Sequence, residues 1–435
     1  MNRSDSERIE GLLLNMGFLP VDKPEEADLI ILNTCSVRQT AEDRAYGLIR
    51  NFNRLKKTKP HLLIAVTGCV AGRDKDGAIR KKLQGNPPSN SPLDYKRGEG
   101  KGGVDFFFPI SDLPRLPEMI NKKWDSRLRG NDRKEEKKMD YLGVKPKAKE
   151  WWRGWVVIQT GCSNYCTYCV VPYARGHEKN RPVGAILKEA RELVKNGARE
   201  INLLGQAVNS HPKFVEILEE VNKIPGINRI GIASAHPMYM NDAIIKALKL
   251  PKMMNYLHLP VQSGNDEILR KMNRKYTRAD YLKVIAKIKK VRPGMALATD
   301  IIVGFPGETK KQFAETLSLY KECDFDMSYN AMYSPRMGTA AFRAFPDDIP
   351  QEEKRRRWHV LQNLMEKNVL RKNKKFLNKT VEVLVDGCSD GRCWGFSREY
   401  KRVIFPGSKD LVGQGVNVRI NKVKEWELEG RLLYC

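Results

Sequence analysis

Apolar residues arrive in short runs separated by charged stretches of helical length. Ala27–Asn33 (ADLIILN) and His61–Thr67 (HLLIAVT) predict short buried strands, with helices near Ser6–Met16, Arg38–Lys57 and Asp74–Leu83. Apolar strands that alternate with helices imply a parallel sheet covered on both faces, so residues 1–125 predict a parallel α/β domain. Val104–Phe108 is a candidate further strand and Leu113–Lys122 a closing helix.

A longer alternation begins at Trp151. Candidate strands are Gly154–Gln159, Glu200–Leu204, Arg229–Ala233, Tyr256–Pro260, Leu297–Val303 and Tyr329–Tyr333. Helical patterns fill the gaps: Ile186, Leu187, Ala190, Leu193 and Val194 share one helix face. Six strand–helix units over residues 151–375 predict a partial (β/α)6 barrel of parallel strands. Its last part, Gln351–Lys375, reads as a basic helix; from Gln351 to Thr380 ten Lys or Arg face three acids, a surplus of seven. Residues 376–435 change character to short strands between glycine turns, at Val381–Val385, Cys393–Tyr400, Arg402–Phe405, Val416–Ile420 and Trp426–Leu428, which predict a small closed β-barrel. Gly85–Gly103 and the basic 126–150 stretch read as loop and linker.

A chain of 435 residues accommodates about three such domains. Lys and Arg number 78 against 52 acids, a net charge of +26, which attracts polyanions and nucleic acid first among them; a generally basic proteome is the alternative. The longest apolar runs, Leu62–Val66 and Phe106–Ile110, fall far below the roughly 18 residues of a membrane span. Nothing near the N-terminus has signal-peptide flanks, so a cytoplasmic protein with no membrane partner is expected. Nine cysteines are too few and too unevenly spread for a disulfide scaffold.

Their clustering carries the chemistry. Cys162-x-x-x-Cys166-x-x-Cys169 directly follows the first strand of the central region, where active-site loops of parallel α/β folds sit. Three thiolates on one loop can ligate three irons of a 4Fe–4S cube and leave the fourth open. An open iron can chelate the amino and carboxylate groups of S-adenosylmethionine, and electron donation can cleave that ligand into a radical. The bland alternative is a structural zinc site completed by His177, though zinc normally takes four ligands in two pairs. Cys35 and Cys69 each lie just past the C-terminal end of a predicted strand; those ends converge on one sheet edge, so the sulfurs can meet in a second site or be two buried structural cysteines.

The chain resembles the radical-S-adenosylmethionine methylthiotransferases over nearly its whole length, in NTCSVRQTAEDRAYG, VTGCVAGR, CTYCVVPYARGHE, LLGQAVNS, HLPVQSGN, TDIIVGFPGET and YSPRMGTAA. MNRSDSERI, VVPYARG and HLPVQSG are most similar to the branch acting on isopentenyladenosine beside the anticodon of tRNA. The resemblance implies an N-terminal cysteine domain, a radical barrel and a C-terminal RNA-binding TRAM domain. It implies that Cys162, Cys166 and Cys169 hold the radical cluster, and that Cys35 and Cys69 supply two of three ligands to an auxiliary 4Fe–4S cluster involved in sulfur donation. The family pattern puts its first cysteine in Gly-Cys-Gln-Met-Asn, whereas this chain opens at Met1-Asn2. The expectation is a start codon placed downstream of that cysteine and its strand, the alternative a natural variant with an incomplete auxiliary site. His177-Glu178-Lys179-Asn180 also stands where the family usually has Arg-Glu-x-Ser.

Softer candidates remain. Gly205 and Gln206 end one strand and Gly304–Glu308 (GFPGE) follows another, so both can approach a nucleoside-like ligand through backbone or be plain tight turns. Gln262 and Ser263 follow a strand end and are candidates for S-adenosylmethionine binding; His236 lines the site or is a satisfied core histidine. Cys323, Cys388, Cys393 and Cys435 read as ordinary reduced thiols. Lys354, Arg355, Arg356 and Arg357 beside Trp358 suit phosphate contact with stacking, or a solvated helix face. In the final barrel Arg392, Trp394, Phe396, Arg398 and Tyr400 interleave basic and aromatic groups, as RNA-loop-binding barrels do.

The expected activity is insertion of a methylthio group at carbon two of isopentenyl-modified adenosine in tRNA, with two 4Fe–4S clusters and S-adenosylmethionine as cofactors. The anticodon stem-loop and an electron donor such as a flavodoxin or ferredoxin are the expected partners. The rivals are the same chemistry on threonylcarbamoyladenosine or a ribosomal-protein aspartate, and a degenerate RNA-binding relative without catalysis.

Overall fold

The computed structural model describes residues 1–36, 39–83, 103–124 and 140–433; the expected 85–103 loop (but for its last residue), most of the 126–150 linker and Cys435 lie outside them. The chain divides into two compact units: residues 1–149 with 161–163 and 169–178, and residues 150–160 and 164–168 with everything from 179 onward.

In the first unit, strands Leu29–Thr34, Leu63–Gly68 and Phe106–Phe107 form a parallel sheet in chain order. The central strand is buried along its length, and Ile49, Leu62, Ile64, Val66 and Val104 form the core. The first helix begins four residues earlier than its pattern suggests, at Asn2. Its polar first turn buries Ser4 and Asp5, and Asp5 pairs with Arg175 at 2.5 Å, a partner invisible to local periodicity. The helix expected at Asp74–Leu83 is instead Cys69–Arg73 and Ala78–Leu83. Asp74 breaks it, accepting hydrogen bonds from the amides of Ile79 and Arg80 at 2.7 and 2.9 Å, as Asp does in caps and turns.

In the second unit, strands Arg153–Val157, Glu200–Leu204 and Arg229–Ile232 form one parallel sheet, and Tyr256–His258, Ala296–Val303 and Met327–Met332 another. A parallel bridge between Ile230 and Met253 joins them, giving the expected six-stranded partial barrel. Side chains alternate along each strand. Val156, Ile201, Leu203, Ile230, Ile232, Leu257, Leu297, Ile301 and Val303 belong to the core shared with the helices. Their alternates, among them Arg153, Glu200 and Arg229, then Asn202, Gly231, His258, Asp300 and Tyr329, face the barrel interior.

The last five strands, Thr380–Ser389, Arg392–Ser397, Arg402–Pro406, Gly415–Val423 and Leu428–Leu432, close into a barrel. The final strand starts after Trp426 rather than at it, because Lys424 and Glu427 close the preceding turn at 2.9 Å. Two of the thiols expected to be reduced are not: Cys388 and Cys393 form a disulfide. They are cross-strand partners on either side of a turn in which Asp390 and Gly391 both have positive φ, the geometry of a two-residue hairpin loop. Buried Arg229 fastens this barrel to the larger one, donating to the Glu382 carboxylate at 3.1 Å and the Phe396 carbonyl at 2.8 Å; Tyr400 stacks between Tyr256 and Phe396.

Candidate functional site

The loop bearing Cys162, Cys166 and Cys169 is held by backbone on both sides of the motif. Gly161 has φ +68, and a Cβ there would sit 2.0 Å from the His177 carbonyl oxygen, so only glycine fits. The Cys162 amide donates to Gly176 at 3.1 Å. Within the motif, Thr167 donates from its amide to Met272 at 3.1 Å and from its hydroxyl to Lys271 at 2.8 Å, and its carbonyl accepts from Ala341 at 2.8 Å. Cys162 is buried; Cys166 and Cys169 are half-buried.

Arg274 reaches this loop from the turn after helix Asp266–Lys271. Its guanidinium donates to Cys166 Sγ at 3.4 Å, to the Tyr276 hydroxyl at 2.7 Å and to the Pro260 carbonyl at 2.8 Å. Burial opposes its charge, but Tyr276, Tyr168 and Cys166 outweigh burial and hold it protonated. Beside it, burial first and Arg274 second push the His236 imidazole down to about 2. His236 is therefore neutral, its Nδ1 accepting from the Met238 amide at 3.3 Å, the behaviour of a satisfied core histidine.

The other pair of cysteines meets a matching arrangement. Parallel register pairs Thr34 with Gly68, so Cys35 and Cys69, one residue beyond each, emerge at the same sheet end. Gly68 has φ +88, and a Cβ there would lie 2.4 Å from the Thr34 carbonyl oxygen; glycine lets the strands stay paired up to the cysteines. Cys69 is buried and Cys35 half-buried. Arg175, from the short helix Val171–Arg175, donates to Cys69 Sγ at 3.4 Å, to Asp5 at 2.5 Å and to Asn2 at 3.0 Å. Burial opposes the charge of Arg175 too, and Asp5 with Cys69 overcomes it.

Among the described residues no three His, Cys, Asp or Glu side chains are grouped so as to hold a single metal ion. A cube makes a different demand, since each thiolate binds its own iron. The first place offers three cysteines on one loop, Cys162, Cys166 and Cys169, and the second offers two, Cys35 and Cys69.

The softer candidates separate. Gly205 and Gln206 close strand Glu200–Leu204. Gln262 is buried with φ +73, its backbone paired with Asp300 and Ile302. Ser263 is fully buried and its hydroxyl engages Thr316 at 3.4 Å. The GFPGE turn is tied internally: the Glu308 carboxylate accepts from the Gly304 amide at 2.7 Å and from Arg357 at 2.8 Å. That bond corrects the basic-patch expectation, because Arg357 and Lys354 are buried, Lys354 pairing with Asp347. Only Arg355 and Arg356 face solvent. Trp358 packs half-buried on the core and donates to the Asn330 carbonyl at 3.1 Å. In the small barrel Arg392 is exposed and Trp394 half-buried, whereas Arg398 is held by Glu382 at 2.8 Å and the Asn228 carbonyl at 3.1 Å; Phe396 and exposed Tyr400 stack on each other. Cys323 is a buried thiol, pushed up to about 12 by burial.

Sequence reasoning missed Arg175 and Arg274. Arg175 lies within a run that carried the family resemblance, VVPYARG; Arg274 had no local signal beyond its turn. The disulfide did have one, two cysteines placed symmetrically about Asp-Gly.

Residues 156–320 match the radical SAM superfamily, residues 1–86 the uncharacterized protein family UPF0004, and residues 374–433 the TRAM domain. The chain is 41% identical over 447 residues to the tRNA-2-methylthio-N(6)-dimethylallyladenosine synthase of Acetivibrio thermocellus, covering 100% of this chain and 89% of that one. It is 40% identical over 444 residues to the protein of the same name from Clostridium botulinum, covering 99% and 94%. Among solved structures it is similar to the radical S-adenosylmethionine methyltransferase TsrM of Kitasatospora setae, at 14% identity and a TM-score of 0.45 over 70% of this chain and 63% of that one.

Proposed function

The chain belongs to the family of tRNA-2-methylthio-N(6)-dimethylallyladenosine synthases, radical SAM enzymes that modify tRNA, and from that premise we propose how its residues carry out the reaction. The carrying observation is identity of about 40% along the whole chain, joined to two cysteine groups that each meet a buried arginine. The substrate position is carbon two of isopentenyl-modified adenosine next to the anticodon. Its C–H bond is unactivated, so no side-chain acid or base suffices. When bound, S-adenosylmethionine and 4Fe–4S clusters supply the radical that removes this hydrogen, together with the sulfur and methyl group that replace it.

Cys162, Cys166 and Cys169 hold the radical cluster, and Arg274 orients the Cys166 sulfur. Cys35 and Cys69 contribute to the auxiliary cluster, with Arg175 on Cys69. Gln262, at the strand end nearest Pro260, and Gly205 with Gln206 offer backbone to the cofactor. Arg355, Arg356 and Arg392 contact the anticodon stem-loop, and a small flavodoxin or ferredoxin in the cytoplasm supplies electrons. Among the described residues no helix is long and apolar enough to cross a membrane.

The test is nucleoside analysis of tRNA from cells lacking the gene. Loss of the 2-methylthio group with the isopentenyl group retained is expected; intact 2-methylthio-isopentenyladenosine refutes the proposal. Iron after anaerobic reconstitution tests the ligand assignment: about eight per chain means two cubes, with Cys35 and Cys69 sufficing beside an outside ligand, and about four means that only the radical site assembles.

A further inference from the structure

Three interior residues of the larger barrel keep exposed surface and take no part in the cysteine sites. On strands whose outward residues are almost wholly buried, the inward His258 and Asp300 side chains keep 18% and 33% of their surface, and Tyr329 keeps 37%. They converge: His258 Nε2 stands 3.2 Å from Asp300 Oδ2, an ion-pair distance without hydrogen-bond geometry. The Tyr329 ring meets His258 edge-on at 5.4 Å. Below, Tyr256 stacked on Tyr400 closes the floor. Above, two residues along the strand from His258, the Pro260 carbonyl accepts from the Arg274 that touches Cys166.

Side chains that keep this much surface inside a barrel line a space, and this one has a carboxylate, an imidazole and a flat ring on its wall. Its chemistry suits an adenine: a ring face against Tyr329 and an exocyclic N–H for a carboxylate to accept. We propose that Asp300, His258 and Tyr329 form the pocket that holds the adenine to be modified, with Asp300 accepting the one N–H left on its alkylated exocyclic nitrogen. The inference rests on the functional reading above. The shared chemistry has two sources, the tRNA base and the adenine of S-adenosylmethionine, which the hairpin and dialysis measurements separate.

The experiment uses the full chain and two labelled anticodon hairpins, one with N6-isopentenyladenosine at the target position and one abasic there, read by fluorescence anisotropy. The unaltered protein binds the first hairpin more tightly. Asp300→Ala weakens that binding at least about tenfold, about 1.4 kcal/mol, and leaves the abasic hairpin as it was; His258→Gln, which keeps the size of the side chain, reduces the same ratio. A ratio unchanged in both variants overturns the assignment, as does equal weakening of both hairpins or loss of S-adenosylmethionine binding by equilibrium dialysis. If the unaltered protein binds both hairpins equally and does not methylthiolate the first, the functional reading itself falls.

Discussion

Replacing Arg274 with Met tests whether a side chain missed by sequence reasoning governs the radical site. Met keeps most of the buried apolar stem and removes the guanidinium. Two charge-assisted bonds are lost, to Tyr276 at 2.7 Å and Pro260 at 2.8 Å, each worth about 1.5–3 kcal/mol. The Pro260 carbonyl then keeps only a share of the Tyr276 hydroxyl proton, at 3.3 Å against 2.9 Å to the Val261 carbonyl. Relief from burying a charge offsets part of the loss, so the expected destabilisation is about 2–4 kcal/mol, measured as a shift of the urea midpoint at constant slope. The third contact, 3.4 Å to Cys166 Sγ, affects the cluster. A donor on a ligating thiolate stabilises the more electron-rich reduced state, so its removal lowers the reduction potential. Potentiometric titration followed by electron paramagnetic resonance should show a lower midpoint in Arg274→Met. Arg274→Lys should restore it only partly, because an ammonium cannot serve three fixed directions. A fully iron-loaded Arg274→Met protein with an unchanged midpoint would refute the reasoning.

Three other outcomes are expected. The unfolded chain takes up a proton on His236 near pH 6.5, whereas the folded imidazole stays neutral down to about 2; stability therefore falls as pH drops below 6.5, by about 1.4 kcal/mol per unit from this residue. His236→Gln should flatten the acid limb of a urea-midpoint profile, and an unchanged slope would count against it. Changing Arg355 and Arg356 to Glu should weaken tRNA binding and reduce the slope of log affinity against log salt by about two, without lowering stability, whereas Lys354→Met should do the reverse. Cys323, with its thiol pushed up to about 12, should escape iodoacetamide at pH 8 in the native protein and react once urea unfolds it, as read by peptide mass spectrometry.

Local pattern was enough for the strands that build both units, because period-two burial and short apolar runs are properties of neighbouring residues. Glu200–Leu204 was legible to the residue, and the convergence of Cys35 with Cys69 followed from the direction of parallel strands. Trp426 misled because an aromatic residue reads as strand whether or not a turn claims it, and Lys354–Arg357 because charge in a string looks exposed. A helix turns those four side chains to different sides, and Glu308 and Asp347 draw two of them inward.

The sequence by itself determined the cysteine spacing, the strand ends on which the cysteines sit, and the glycines before Cys69 and Cys162 that permit it, since all three depend on chain-local geometry. The tertiary structure alone decided which charges meet sulfur and which side chains line the barrel. Arg175 reaches Asp5 across 170 positions and Arg274 reaches Cys166 across 108. His258, Asp300 and Tyr329 come from three neighbouring parallel strands, brought together by the register in which those strands pair. Burial selects such partners, because a charge taken out of water must find its counterpart wherever the fold places one.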